Sequence, residues 1–246
     1  MTSELLKVEQ HEGVLSICLN RPAKRNALSA GLVDELLDIV NLAPARDVRV
    51  LNFRGEGKSF CAGFDFSDAD QQSESDLVLR FIRIEMLLQA IASSPCLTVA
   101  FAQGANFGAG VDLFAVCRER YASAGATFRM PGLQFGLVLG TRRFGELVGR
   151  ERAARIQQEA ATFDARQALE MGFVQEVTDP DRWDDRVRNA HARAAALDDD
   201  VRASLYRALD SHQRDGDLAT LVRSAAQKGL KERVARFLAS GSPKSR

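Results

Sequence analysis

The chain has 246 residues, and its 33 lysines and arginines balance its 33 aspartates and glutamates, so the formal net charge is zero. This length can bury a sizeable core in one domain with an appendage. A balanced charge argues against a general nucleic-acid-binding surface, but it leaves open a local basic pocket for phosphate groups.

The cysteines and the apolar stretches bear on cellular setting. The four cysteines are scattered and show no metal-ligand spacing, so we expect no metal site and a reduced setting. The first residues lack the pattern of a secretion signal, and no apolar stretch is long enough to span a bilayer. We therefore expect a cytoplasmic protein.

The first 42 residues predict two strands and a helix. Strands are expected over residues 5–9 and 14–19, with a turn near Gly13. Ser29 is a suitable N-cap for a helix that runs to about Leu42.

The next segment continues the alternation of strands and helices. A buried strand is predicted over residues 48–53, and the polar stretch 68–76 indicates a loop. Apolar residues at helical spacing then predict a helix that ends before Pro95: Leu77, Phe81, Ile84, Leu88 and Ile91. A strand over 96–102 and a helix from Val111 follow. This order predicts an α/β fold with a mostly parallel sheet and crossover helices.

From about Asp181 the sequence predicts helices and no strand. One helix stripe contains Trp183, Val187, Ala190, Ala194 and Leu197. Further helical sequence runs over residues 201–239, with Gly216 as a break. We therefore divide the chain into a core, residues 1–180, and a C-terminal helical region, residues 181–246, which packs on its own body or on a neighbouring subunit.

Two glycine-containing segments are candidates for a ligand site: SFCAGFD at residues 59–65 and QGANFGAGVD at residues 103–112. The second segment joins a predicted strand to a predicted helix. Glycines at such a junction let the backbone approach a ligand closely, and the unpaired N–H groups of the new helix point outward. This arrangement suits a negative charge that develops on an oxygen atom.

Both segments resemble the enoyl-CoA hydratase/isomerase (crotonase) superfamily, and ordered matches extend from Val14 to about Val177. They include RPAKRNAL at residues 21–28, GRERA at 149–153 and FDARQALEMGFV at 163–174. The resemblance implies a spiral ββα core, a C-terminal helical region, and a homotrimer or homohexamer. It also implies a coenzyme A thioester as substrate, with no permanently bound cofactor.

The resemblance assigns catalytic roles to a few positions. The backbone N–H groups of Phe64 and Ala109 would form an oxyanion hole, although the family has a glycine where Ala109 stands. Asp112 takes the position of the first catalytic glutamate of the hydratases and is one methylene shorter. The second glutamate is replaced by Gly132, which has no side chain. Syn hydration with two carboxylates is therefore disfavoured, as is an isomerase that uses a glutamate at this position.

The resemblance also indicates where coenzyme A would bind. Lys24 and Arg25 would face its phosphates, since two adjacent cations suit phosphate charge. Ala27, Ala62 and Asp65 complete the predicted set. Without the family match, Lys24 and Arg25 would be an ordinary basic surface pair and Asp65 a helix cap.

We therefore expect an acyl-CoA enzyme of enoyl-CoA hydratase/isomerase type, a lyase or isomerase that stabilises a thioester enolate. Two alternatives stay open. One is thioester hydrolysis, C–C bond hydrolysis or decarboxylation on the same scaffold. The other is a catalytically silent acyl-CoA-binding subunit. We expect no nucleic-acid partner and no membrane partner.

Overall fold

Two β-sheets and a surrounding set of helices make up the fold. The computed structural model describes residues 3–210 and 213–240, and within these ranges it contains nine strands and ten α-helices. The strands are β1 (Leu6–His11), β2 (Val14–Leu19), β3 (Val50–Gly55), β4 (Leu97–Ala102), β5 (Ala105–Phe107), β6 (Glu119–Ala122), β7 (Thr127–Arg129), β8 (Thr162–Asp164) and β9 (Glu176–Val177). The helices are α1 (Ala30–Leu42), α2 (Glu74–Ala92), α3 (Ala109–Ala115), α4 (Thr141–Val148), α5 (Arg150–Glu159), α6 (Ala165–Glu170), α7 (Trp183–Ala195), α8 (Asp199–Leu209), α9 (Arg214–Ala225) and α10 (Leu230–Ala239).

The larger sheet is mostly parallel, which confirms the fold class predicted from the sequence. Its strand order is β1-β2-β3-β4-β6-β9, and only the β1–β2 pair is antiparallel. Parallel neighbours need crossover connections, and α1, α2 and α3 lie in those that lead to β3, β4 and β6.

The smaller sheet was not predicted from the sequence. It contains β5, β7 and β8, with β5 parallel to β7 and β7 antiparallel to β8. Each strand has three residues, which is too short for an alternating pattern to stand out. The sheet matters for the site because β5 carries the middle of the second glycine segment and leads into α3.

The first predicted elements are confirmed to within one or two residues. Strands β1 and β2 lie where they were expected, and the Ser29 hydroxyl oxygen accepts a hydrogen bond from the Leu32 N–H at 3.3 Å at the start of α1. The prediction of a loop over residues 68–76 was wrong at its end, because α2 begins at Glu74. Ser73 and Asp76 form a capping box there, in which each side chain accepts from the other residue's N–H.

Gly216 does not break the C-terminal helices as predicted. It lies inside α9, where a single glycine costs about 1 kcal/mol relative to alanine and is tolerated. The break before α10 comes instead at Gly229, whose φ of 82° is a left-handed conformation that glycine adopts without strain.

The C-terminal helices pack on the body of the same chain. Buried residues of α9 and α10, including Leu221 and Val234, belong to the main apolar core that begins at Leu6. Helix α7 covers the other face of the large sheet, where the Trp183 ring stacks on Phe101 with a centroid distance of 4.9 Å. As predicted, the described residues after position 181 form helices and no strand.

The described helices include none that is both long and apolar enough to cross a membrane. All four cysteines are free, and three of them are buried. Burial raises the pKa of the Cys61 and Cys117 thiols to about 12, so both are inert at neutral pH.

Candidate active site

The two glycine segments predicted from the sequence touch each other through their backbones. A Cβ placed on Gly63 would lie 2.3 Å from the Phe107 carbonyl oxygen and 3.3 Å from the Ala109 nitrogen. A Cβ placed on Gly110 would lie 2.3 Å from the Cys61 carbonyl oxygen. Neither position can carry a side chain without moving the backbone, so both glycines are required by this close approach.

Asn106 joins the same two segments with hydrogen bonds. Its carbonyl oxygen accepts from the Cys61 N–H at 3.1 Å. Its amide nitrogen donates to the carbonyl oxygens of Gln103, Gly104 and Thr127 at 3.3, 3.0 and 3.2 Å. The side chain is buried, so losing these bonds would leave several polar groups unsatisfied. The sequence analysis missed this residue, because an asparagine in a three-residue strand gives no signal of its partners.

The backbone N–H groups of Phe64 and Ala109 are both free to bind a ligand. Phe64 lies in an extended segment whose neighbours Gly63 and Asp65 make the bonds to Leu28. In the described ranges neither the Phe64 nor the Ala109 N–H donates to a protein acceptor. Alanine at 109 needs no positive φ, because the preceding Gly108 takes it, with φ of 45°.

Both groups border a cavity of about 500 Å³. All eight residues predicted for the site line this cavity: Lys24, Arg25, Ala27, Ala62, Phe64, Asp65, Ala109 and Asp112. The structure therefore brings together residues that were singled out along the chain from position 24 to position 112.

Part of the cavity wall is a continuous aromatic patch, made of Phe64, Phe66, Phe81, Phe135 and Phe237. Phe64 stacks on Phe81 with ring centroids 4.4 Å apart and contacts Phe66 at 4.7 Å. Phe135 joins Phe66, at 6.1 Å, to Phe237 of α10, at 5.1 Å. The last helix of the chain thus helps to line the cavity. The sequence analysis did not place Phe237 there, because more than a hundred residues separate it from the glycine segments.

Asp112 is a buried carboxylic acid in the cavity wall. Its side-chain oxygen Oδ1 is buried and has no hydrogen-bond partner among the described residues. Burial raises the pKa of Asp112 well above its usual value, the Arg143 guanidinium opposes this, and the Glu85 carboxylate adds to it. Asp112 therefore holds its proton to a much higher pH than an exposed aspartate.

Gly140 leaves the space that Asp112 occupies. A Cβ on Gly140 would lie 1.9 Å from Oδ1 of Asp112, and the φ of Gly140 is 63°. The sequence analysis did not connect these two residues, because Gly140 precedes α4 and Asp112 lies in α3. Their contact exists only in the folded chain.

Lys24 and Arg25 are exposed at the cavity, on the turn that follows β2. Neither side chain forms an ion pair with another residue in the part of the chain that the structure describes. The Arg25 guanidinium lies 6.0 Å from the centroid of the Phe107 ring, and the Arg25 carbonyl oxygen accepts from the Ala62 N–H at 2.9 Å. Arg25 thus contacts both glycine segments, and both cations remain available to an anionic ligand.

Asp65 lines the cavity, but its oxygens are already bound by the protein. Oδ2 accepts from the Arg21 guanidinium at 2.8 Å, and Oδ1 accepts from the Ser67 N–H and hydroxyl at 3.0 and 2.6 Å. Burial would raise the pKa of Asp65, but the hydrogen bonds from Ser67 and Arg21 outweigh burial and lower it. The contacts of Asp65 hold the loop, and its side chain acts as a local cap for Ser67.

Gly132 also borders the cavity, where it contributes no acid–base group. Among the described residues that line the cavity, only Asp65 and Asp112 have carboxyl side chains. Arg129 and Gln157 lie nearby and are buried, and the Arg129 Nε–H donates to the Ala160 carbonyl oxygen at 2.8 Å. The described ranges also contain no group of three or more histidine, cysteine or acidic residues that could hold a metal ion.

We predict that Asp112→Asn changes the pH dependence of stability. The unfolded-state pKa of an aspartate is 3.8, and the folded-state pKa of Asp112 is raised above it. The stability that Asp112 contributes is therefore complete below pH 3.8 and is lost as the pH rises towards the folded-state pKa, by about 1.4 kcal/mol per pH unit. Asparagine does not titrate. The free energy of unfolding of the variant should therefore increase relative to that of the parent as the pH rises.

Urea unfolding between about pH 5 and pH 8 would measure this difference. Asp65→Asn is the control, because the pKa of Asp65 is lowered and its contribution is lost only in acid, below that range. A difference between Asp112→Asn and the parent that did not change with pH would show that Asp112 ionises as easily in the folded state as in the unfolded state.

Comparison with known proteins identifies the family of this chain. The family model described as enoyl-CoA hydratase/isomerase matches residues 9–239. A crystal structure from Bordetella parapertussis, whose description names enoyl-CoA hydratase/isomerase, is 51% identical with a TM-score of 0.95 and covers 96% of this chain and 99% of its own. A Mycobacterium bovis protein whose name contains enoyl-CoA hydratase is 34% identical over 177 residues, which are 70% of each chain. A Mycobacterium leprae relative with the same name is 31% identical over 232 residues, which are 87% of this chain and 90% of the relative. The chain thus has the crotonase fold and belongs to the enoyl-CoA hydratase/isomerase family.

Proposed function

We propose that this protein binds an acyl-CoA thioester and polarises its carbonyl group with the backbone N–H groups of Phe64 and Ala109. One observation carries the proposal. Both N–H groups are free, and Gly63 holds their two segments in contact at the wall of one cavity. Two such donors would stabilise the oxyanion of a thioester enolate, and each is typically worth about 3 kcal/mol in the transition state.

Lys24 and Arg25 would bind the phosphate groups of coenzyme A. They are exposed cations at the cavity, and the backbone of Arg25 is bonded to Ala62 in the first glycine segment. Ala27 and Ala62 are small lining residues that leave space for the cofactor portion of the substrate, and Asp65 keeps this loop in place. Coenzyme A would enter only as part of the substrate.

The aromatic patch would receive the acyl group. Its five phenylalanines present apolar surface to the cavity, which favours an uncharged hydrocarbon acyl chain over one with a second carboxylate. This chemistry is that of an enoyl-CoA or acyl-CoA, as the names of the relatives also suggest.

Asp112 would transfer the proton in this chemistry. In a lyase reaction, a bond to the carbon next to the thioester carbonyl would break and leave its electron pair as the enolate; the neutral carboxyl can protonate that carbon, and the resulting carboxylate regains a proton from water. In a double-bond isomerisation, the carboxylate form of Asp112 would first take a proton from the substrate to form the enolate and would then return a proton to another of its carbons. Gly132 supplies no second group to activate a water molecule, so the site supports single-proton chemistry of the isomerase or lyase type better than syn hydration.

The same glycine supports a second candidate function, a catalytically silent acyl-CoA-binding subunit. The cations, the free N–H groups and the aromatic patch would all serve binding without turnover. The two candidates differ in whether any bound thioester is converted.

We predict that Lys24→Ala/Arg25→Ala weakens the binding of octanoyl-CoA roughly tenfold or more, since each charge-assisted contact to phosphate is worth about 1.5–3 kcal/mol. Isothermal titration calorimetry would measure the dissociation constants. Arg152→Ala/Arg155→Ala is the matched control, because it removes the same charge from exposed positions that do not line the cavity.

The thioester that ends at pantetheine should bind the parent and the variant alike, because it lacks the nucleotide phosphates. An unchanged affinity for octanoyl-CoA in the double variant would remove Lys24 and Arg25 from the site. No binding of any acyl-CoA to the parent would refute the ligand class.

We predict that the parent hydrates crotonyl-CoA slowly or not at all, because each missing acid–base group typically costs about 10²–10⁴ in rate. On the best substrate in a panel of acyl-CoA thioesters followed by mass spectrometry, Asp112→Asn should lose a similar factor. Gly132→Glu should increase hydration, although its Cβ would lie 3.0 Å from the Leu137 carbonyl oxygen and needs a small local shift.

Fast hydration by the parent would mean that another group replaces the missing glutamate. Full activity of Asp112→Asn would eliminate Asp112 as the proton donor. Binding of several thioesters without conversion of any would favour the silent subunit.

We predict a homotrimer or homohexamer in which the C-terminal region, residues 181–246, takes part. Helix α8 exposes an apolar stripe, since Val201, Leu205 and Leu209 are 53%, 45% and 76% exposed. Light scattering should give the mass of the oligomer, and Leu205→Glu/Leu209→Glu should lower it. Leu79→Glu on α2, which is 56% exposed, is the control, and a monomeric parent at micromolar concentration would contradict the prediction.

A further inference from the structure

A buried cluster of charged side chains lies behind Asp112 and is not part of the function proposed above. It consists of Glu85 on α2, Arg142 and Arg143 on α4, and Asp217 on α9, and we call it the Glu85 network. Glu85 is 1% exposed and accepts two hydrogen bonds from Arg143, one of them from Nη1 to Oε2 at 3.1 Å. Asp217 accepts two bonds from Arg142, at 2.8 and 2.6 Å, and lies 3.2 Å from Nη2 of Arg143.

Every terminal nitrogen of Arg143 has a carboxylate partner within this network. Nη1 binds Glu85, and Nη2 binds Glu85 and Asp217. The two arginines and two carboxylates also balance each other in charge. The network therefore offers Asp112 no unpaired cation, which agrees with the absence of a partner for Asp112 Oδ1 within the described residues.

Arg143 is nevertheless close enough to influence Asp112. Gly140, one helical turn before Arg143, would place a Cβ 1.9 Å from Asp112 Oδ1. The Arg143 charge lowers the pKa of Asp112 and the Glu85 charge raises it, so both groups act on the same carboxyl. A buried carboxyl beside an unpaired arginine would instead ionise and form an ion pair.

The other elements packed against α3 present no competing charge. Helix α3 contacts α2, α4, β4 and β5, and the two strands contain only uncharged residues. The other buried charged residue of α2 is Arg80. It is bound by Asp68 at 2.9 Å and lies over the Phe64 ring at 4.1 Å. Glu85 and Arg143 are thus the charged groups that face Asp112 from its neighbouring helices.

We propose that Glu85 is a positioning residue for Asp112: by holding both terminal nitrogens of Arg143, it prevents an Asp112–Arg143 ion pair and keeps Asp112 as an uncharged acid in the cavity. An uncharged Asp112 can donate a proton or a hydrogen bond to a bound thioester. It also does not repel the negative charge of an enolate. This consequence for catalysis rests on the proposed function, but the protonation state of Asp112 does not.

The test is the titration of Asp112 in Glu85→Gln, followed by NMR of the ¹³C-labelled aspartate carboxyl groups in the full chain without substrate. The signal of Asp112 is identified by its loss in Asp112→Asn. Glutamine keeps the shape of Glu85 and removes its charge, which frees Arg143 to turn towards Asp112. The midpoint of the Asp112 titration should therefore move to lower pH in Glu85→Gln.

Glu146→Gln is the matched control, because Glu146 binds Arg142 at 2.6 Å, is exposed, and has no bond to Arg143. The titration of Asp112 in this control variant should follow the titration of Asp112 in the parent. Asp217→Asn is a second variant, at a less deeply buried position, and it removes one of the two carboxylates that bind Arg143. It should shift the Asp112 midpoint in the same direction by a smaller amount. This variant also decides the question if Glu85→Gln does not fold.

An Asp112 that titrates in the parent at the ordinary aspartate pKa of 3.8 would overturn the proposal, as would an unchanged midpoint in the folded Glu85 and Asp217 variants. If acyl-CoA compounds do not bind, the proposed function fails while the NMR result still stands. If a thioester is converted with Asp112 as the acid, the alkaline limb of the pH–rate profile should move with the Asp112 midpoint in Glu85→Gln and stay in place in Glu146→Gln.

Discussion

The contact between two stretches of backbone at Gly63 and Gly110 is the constraint on which the rest of the site depends. A side chain at either glycine would push apart the segment that follows β3 and the segment that follows β4. Asn106 adds hydrogen bonds to the Cys61 N–H group and to the Gly104 carbonyl oxygen. This arrangement leaves two N–H groups, at Phe64 and Ala109, without a protein acceptor in the described ranges. As backbone groups, they do not depend on the chemistry of their own side chains.

The second determinant is the environment of one buried carboxyl group, that of Asp112. Asp112 loses its contact with water, and Gly140 provides the space that it fills. An isolated carboxyl in such a place is neutral unless a cation pairs with it. The nearby cation, Arg143, is bound by Glu85 and Asp217. These ion pairs link α2, α4 and α9. The cavity wall therefore combines uncharged N–H groups with a carboxyl group whose pKa is raised by burial.

The C-terminal helices also contribute to the cavity. Phe237 of α10 extends the aromatic patch that begins at Phe64, and Arg233 fixes α10 by donating to the Phe135 carbonyl oxygen at 3.0 Å. Residues near the end of the chain thus complete a cavity whose candidate site residues lie in the first half of the chain. The exposed stripe of α8 does not line this cavity.

The sequence by itself determined the fold class and four of the six strands of the larger sheet, because these depend on local patterns such as apolar periodicity, caps and turns. The eight residues that meet at the cavity were assigned through the family resemblance that the glycine segments and their neighbours carry. Local patterns were insufficient for the three-residue strands of the smaller sheet. They also placed a helix break at Gly216, whereas α8 ends at Leu209 and Gly216 lies in the first turn of α9. Only the tertiary structure decided which side chains surround Asp112. Glu85, Gly140 and Asp217 come from three distant parts of the chain, and a carboxyl group takes its charge state from neighbours in space, which no spacing in the sequence records.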